Sequence, residues 1–136
     1  MSNIVDVVVA DKNLATMSKS VKAAGLETEL VKQGPFTVFA PSEMAFGKLA
    51  SGVLTDWMKP ENMIKLSGIL NHHVVKGKKN FKDLKDGQKL VTVNGRELQV
   101  KVTNGEVTIN GAKVQSRDKE ASNGVVHSLD TVISMN

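Results

Sequence analysis

Three Asn-Gly pairs, at Asn94-Gly95, Asn104-Gly105 and Asn110-Gly111, punctuate the stretch KLVTVNGRELQVKVTNGEVTINGAKVQS. Between the pairs, apolar and polar residues alternate. Asn and Gly both tolerate the positive φ of a type I′ turn, so each pair predicts a tight hairpin between two strands. Alternation at period two leaves each strand one face to bury. A fourth pair, Asn123-Gly124, precedes VVHSLDTVIS, which reads as one or two final strands. The second half of the chain is therefore expected to be a meander of short antiparallel strands.

The first half follows another period. In LATMSKSVKAAGL, Leu14, Met17, Val21 and Ala24 recur at helical spacing, and Gly25 reads as a stop. GPFTVFAPS gives a short β-rich run, and Ser42 stands as an N-cap for EMAFGKLA, with Glu43 placed to suit the positive end of the helix dipole. A further helix is expected from Pro60 through ENMIKLSGILNH, with Met63, Ile64, Leu66, Ile69 and Leu70 as its apolar stripe. Helices mainly first and a meander second predict an α+β domain. Evenly spaced hairpins leave no room for a linker, so one domain over residues 4–134 is expected.

Composition narrows the chemistry. The 136 residues include no Cys, which excludes disulfides, thiolate metal sites and a cysteine nucleophile. A 40% hydrophobic content suffices for a core without covalent staples. No apolar run approaches the ~20 residues that span a bilayer, and the longest, IVDVVVA, is broken by Asp6. No export-signal pattern and no Asn-x-Ser/Thr sequon occur, so the chain reads as cytosolic or as a mature exported domain. The net charge of +4 is uneven: residues 76–89 hold six Lys against Asp83 and Asp86, also +4. That segment reads either as a solvated lysine-rich connection or as a site for a polyanion, an acidic polysaccharide or lipid headgroup. With four Phe, one Trp and no Tyr, the chain offers few stacking platforms, and nucleic acid is not an expected partner.

Enzymatic signatures are missing. VHSLD holds His, Ser and Asp together, but on a strand His127 and Leu129 face one way and Ser128 and Asp130 the other, which rules out a local triad. His72 and His73 are adjacent and diverge on either a helix or a strand, so no metal site and no cofactor are expected. Met17, Met44, Met58 and Met63 raise a further reading, an adaptable apolar pocket for a small carried ligand, against plain core filling.

Three ordered stretches, GPFTVFAPSEMAFGKL, ILNHHVVKG and ASNGVVHSLDTVI, resemble the conserved blocks of the fasciclin-like domain. The resemblance runs from about Ile4 to Ile133. It implies a seven-stranded β-wedge packed against several α-helices, and a monomeric, non-enzymatic adhesion or protein-interaction role outside the cell or in a bacterial envelope. The expected partner is a cell-surface or matrix protein or glycan. The block residues Thr37, Phe39, Pro41, Ser42, Phe46, His73, Asn123, Gly124, His127 and Asp130 are then structural, with Thr37, Ser42 and Asp130 expected to satisfy the buried imidazoles of His73 and His127. His72 stands where the family carries Tyr, near a surface that relatives use for recognition. Asp118-Lys119 stands where animal members have Asp-Ile, so animal-type integrin recognition is not expected. The candidate interaction residues are His72, Val74, Lys78, Lys79, Lys82 and Asp118.

Overall fold

A computed structural model describes residues 3–25, 35–49, 52–93 and 95–133, excepting the side chains of residues 116–118 within their strand. The first element was not expected from the sequence. IVDVVVA forms helix α1 (Ile4–Ala10) although its β-branched residues favour strands. A capping box decides the matter. The Asn3 side chain accepts from the Asp6 N–H at 2.9 Å, and the Asp6 carboxylate accepts from the Asn3 N–H at 3.3 Å. Ile4 and Val8, one turn apart, are then both buried. A 3₁₀ turn (Lys12–Leu14) leads into α2 (Ala15–Ala23), which stops where Gly25 takes φ +71°. The stop expected at Gly25 is met there, and Leu26 lies outside the described residues.

Strand β1 (Phe36–Pro41) runs into α3 (Glu43–Gly47), capped by the Ser42 hydroxyl on the Ala45 N–H at 3.3 Å. Glu43 instead caps a different helix, accepting from the Thr16 N–H in the first turn of α2. Helix α4 (Val53–Trp57) and a 3₁₀ turn at Pro60–Asn62 precede α5 (Met63–Asn71). The predicted stripe holds for Leu66, Ile69 and Leu70, whereas Ile64 is 90% exposed and lies outside the core.

The remaining strands are β2 (Val74–Lys76), β3 (Lys89–Val91), β4 (Glu97–Thr103), β5 (Glu106–Ile109), β6 (Ala112–Ala121) and β7 (Gly124–Leu129). They form one seven-stranded sheet in the order β2-β1-β7-β6-β5-β4-β3. A bridge between Val75 and Thr92, with Val93 N–H donating to Val74 C=O at 2.9 Å, brings the β3 end back to β2 and nearly closes the wedge. The predicted turns are present: Asn104 and Gly105 take φ 53° and 81°, Asn110 and Gly111 take 51° and 88°. Gly95 has φ 88°, while Asn94 lies outside the described residues. The fourth pair behaves differently. Ala121 pairs with Gly124, so the turn residues are Ser122 and Asn123, and Gly124 opens β7.

β1 and β7 lie side by side and parallel, Phe36 opposite Gly124 and Pro41 opposite Leu129. Both strands are buried throughout, because each face meets a separate core. Val38, Ala40 and Val126 pack with Ile4, Leu14, Met17, Leu66 and Leu70 on the helical side. Phe39 and Leu129 pack inside the wedge with Leu90, Leu98, Val100, Val107 and Ile109. Each large side chain so buried contributes about 1.5–3 kcal/mol.

Candidate interaction surface

The lysine-bearing residues 76–89 cross one mouth of the wedge from β2 to β3. They are the lysine-rich connection expected, with most of its lysines in solvent, and its backbone is anchored on the wedge. Leu84, 6% exposed, enters the inner core, and Phe81 packs partly buried beside it. The Thr37 hydroxyl on β1 donates to Gly77 C=O and accepts from the Lys79 N–H, both at 2.7 Å. From β7, His127 Nε2 lies 2.8 Å from Lys79 C=O, so Nε2 carries the proton and donates. The His127 ring also stacks on Phe39, centroids 5.5 Å apart. Farther along, Gly87 N–H donates to Val100 C=O at 2.9 Å, and Val100 N–H donates to Gln88 C=O at 2.8 Å. Thr37→Val is expected to orphan the Lys79 amide, costing about 2 kcal/mol. Urea melts would read the cost, and faster hydrogen exchange at Lys79 would localise it.

Both acidic groups of the segment turn toward backbone. Asp83 accepts from the Asn80 N–H at 3.1 Å, and Asp86 from the Val102 N–H at 3.0 Å. Lys78 pairs with Glu120 at 2.6 Å. The other ion pairs among the described residues occupy Lys48, Lys59, Lys113 and Lys119. Among the described residues, Lys76, Lys82, Lys85 and Lys89 are exposed and in no ion pair.

The structure redistributes the expected site. His72 is not at a surface: it caps α5 at 3% exposure, its ring edge-on to that of His73 with centroids 6.5 Å apart. Val74 is 1% exposed and belongs to the helical core. Lys79 is half-buried and anchors the segment by its backbone, while Lys78 and Lys82 are exposed. Asp118 lies in β6 with its side chain outside the described residues. Its neighbour Lys119 pairs with Asp11. Burial pushes the Asp11 carboxyl up, but the Lys119 hydrogen bond and the Asn13 amide outweigh this and hold it below the usual range.

His73 is fully buried. Nδ1–H donates to Ile69 C=O at 2.8 Å, and Nε2 accepts from the Ile133 N–H at 2.9 Å, which requires the neutral ring. Burial holds its pKa down to about 4; the bond to Ile69 opposes this, and His72 adds to it. None of the three residues expected to satisfy the imidazoles does so: both rings bond backbone, and Thr37 bonds Gly77 C=O and the Lys79 N–H beside His127 without bonding its ring. Ser42 bonds Ala45 and Gln115, and Asp130 bonds the Lys113 N–H and Thr131. Asn123 does more than turn the chain: its side chain accepts from the Ile4 N–H at 2.8 Å and its carbonyl from the Phe36 N–H at 2.9 Å. Phe39, Pro41 and Phe46 are buried as structural residues.

The four methionines do not share a pocket. Met17 is in the core, Met58 and Met63 pack at its edge, and Met44 is 57% exposed. Among the described residues, the apolar hollow beside Met17 measures about 10 Å³, far below the ~300–1,000 Å³ of ligand sites. No helix among those residues is long and apolar enough to cross a membrane.

The family described as Fasciclin domain matches residues 12–135. Protein sll1483 of Synechocystis sp. is 42% identical over 96% of this chain and 72% of its own length. Uncharacterized protein sll1735 of the same organism is 39% identical over 99% of both chains. The fold superposes on a FAS1 domain pair from the insect cell adhesion molecule Fasciclin I with TM-score 0.84, covering 98% of this chain and 51% of that one at 18% identity. Block residues, sheet order and these likenesses agree: the chain belongs to the fasciclin domain family.

Proposed function

We propose that the chain is a single-domain, monomeric, non-enzymatic adhesion or protein-interaction module, working at a cell surface, in a matrix or in a bacterial envelope. The observation that carries this reading is the cationic strip over residues 76–89. Its backbone is fixed by Thr37 and His127, two residues of the family's own blocks, while its lysines face solvent. A fixed backbone lowers the ordering cost of binding. Family membership adds support, as does the description of the insect relative as a cell adhesion molecule. The carrier reading through Met17, Met44, Met58 and Met63 has less support, since these four share no pocket among the described residues.

The test is mechanical. Beads coated with the full chain should hold to glass bearing bacterial envelope material under shear that strips albumin-coated beads. Equal detachment of the two would end the proposal.

A further inference from the structure

We infer that the strip formed by Lys76, Lys82, Lys85 and Lys89 binds acidic polysaccharide chains. This rests on the interaction-module reading and names its partner class. Three observations converge. The four ammonium groups are unpaired among the described residues, and the nearby Asp83 and Asp86 carboxylates are turned onto backbone amides. With both carboxylates counted, the segment keeps a net charge of +4, six Lys against two Asp. The cations belong to one ordered segment that joins β2 to β3, and several cations on one segment suit a repeating anion better than a compact one. Finally, both apolar side chains of the strip, Phe81 and Leu84, turn toward the inner core.

The last point separates partner classes. With Phe81 turned inward, the strip has no aromatic platform on which bases would stack. With Leu84 turned inward, it presents no large apolar side chain to enter a lipid surface. The exposed side chains alongside are Val91 and Val93 of the neighbouring edge, 52% and 38% exposed. The lysine assignment also departs from the sequence expectation: Lys78 is engaged with Glu120 and Lys79 is half-buried, so neither is a principal contact.

The probe is immobilised polygalacturonate, with neutral dextran as blank and vesicles of phosphatidylcholine and phosphatidylglycerol as the membrane arm. The full chain should be retained on polygalacturonate, and its affinity should fall about tenfold or more between about 50 and 200 mM NaCl. Replacing Lys76, Lys82, Lys85 and Lys89 by Ser should weaken binding at least about tenfold. Replacing the exposed helical-side Lys12, Lys19, Lys22 and Lys65 by Ser removes the same charge and should leave affinity within about twofold. Circular dichroism would confirm that both variants fold. Equal losses in the two variants, salt-insensitive retention, or tighter binding to the anionic vesicles than to the polysaccharide would each overturn the inference. Beads that adhere to envelope material while the chain ignores polygalacturonate would remove this partner class and leave the module standing.

Discussion

Gly124→Ala should leave the chain barely folded. A Cβ at this position would sit 1.9 Å from the Phe36 carbonyl oxygen and 2.8 Å from Ile4 Cδ1, on backbone at φ +156°. The close neighbour is backbone of the paired strand, so no rotamer change relieves the overlap. β1 and β7 would have to separate where Phe36 faces Gly124, and α1 would lose its seat on Ile4. A cost of about 3 kcal/mol or more is expected, a large share of the stability of a domain this size. The comparison is Gly111→Ala, a turn glycine at φ +88° with no heavy atom within 4 Å of the added methyl. It should cost only about 1 kcal/mol, from the left-handed backbone alone. Urea melts of the two variants should differ widely in midpoint. Similar midpoints would show that β1 and β7 are not packed as closely as described.

His73 should give the fold a marked acid dependence. Its pKa is about 6.5 in the unfolded chain and about 4 when folded. Above 6.5 both states hold the neutral ring and the full contribution is present. As pH falls from 6.5 toward 4, the unfolded chain takes up a proton that the folded one refuses, and stability drains away. Below 4 this residue adds no further loss. Over that window the loss is about 3 kcal/mol. The bonds show why the ring resists: a proton on Nε2 would confront the Ile133 N–H that now donates to it. His73→Leu should therefore flatten the urea stability curve between pH 6.5 and 4. At pH 7 it should also cost about 2 kcal/mol or more, because the Ile133 amide and Ile69 carbonyl lose their partner. A variant whose acid dependence matched the original would refute the assignment.

The meander was legible because turn chemistry is local: Asn104-Gly105 and Asn110-Gly111 carry their own φ requirement. The block resemblance likewise led to the sheet and the helical layer. The failures share a different cause. α1 was hidden because the run Ile4 to Ala10 is mostly β-branched, and its start is set by the Asn3–Asp6 box and by the seat at Asn123, 119 residues away. Asn123-Gly124 looked like one more turn, yet Gly124 is required by a strand approaching across the sheet. The order of the lysine segment is set by Thr37 and His127, 40 and 48 residues from the atoms they hold. His72 was misplaced because a position that carries Tyr in relatives implied a surface, and here its ring packs inward beside His73. Contacts of that range leave no period in the sequence.

The parallel pairing of β1 with β7 has a consequence for biosynthesis. Once β1 is made, β2 can pair with one of its edges as soon as residues 74–76 follow. Its other edge has no neighbour until residues 124–129 are made. Neither core can close before then, since β7 supplies Val126 to one and Leu129 to the other. The nascent chain thus carries a strand with one open edge while residues 42–123 are made, and assembly of the domain is a long-range event of the slow kind. For cells making this protein, the hazardous interval lies between the synthesis of β1 and that of β7, and a holdase that shields residues 36–41 would act on the segment that waits through it.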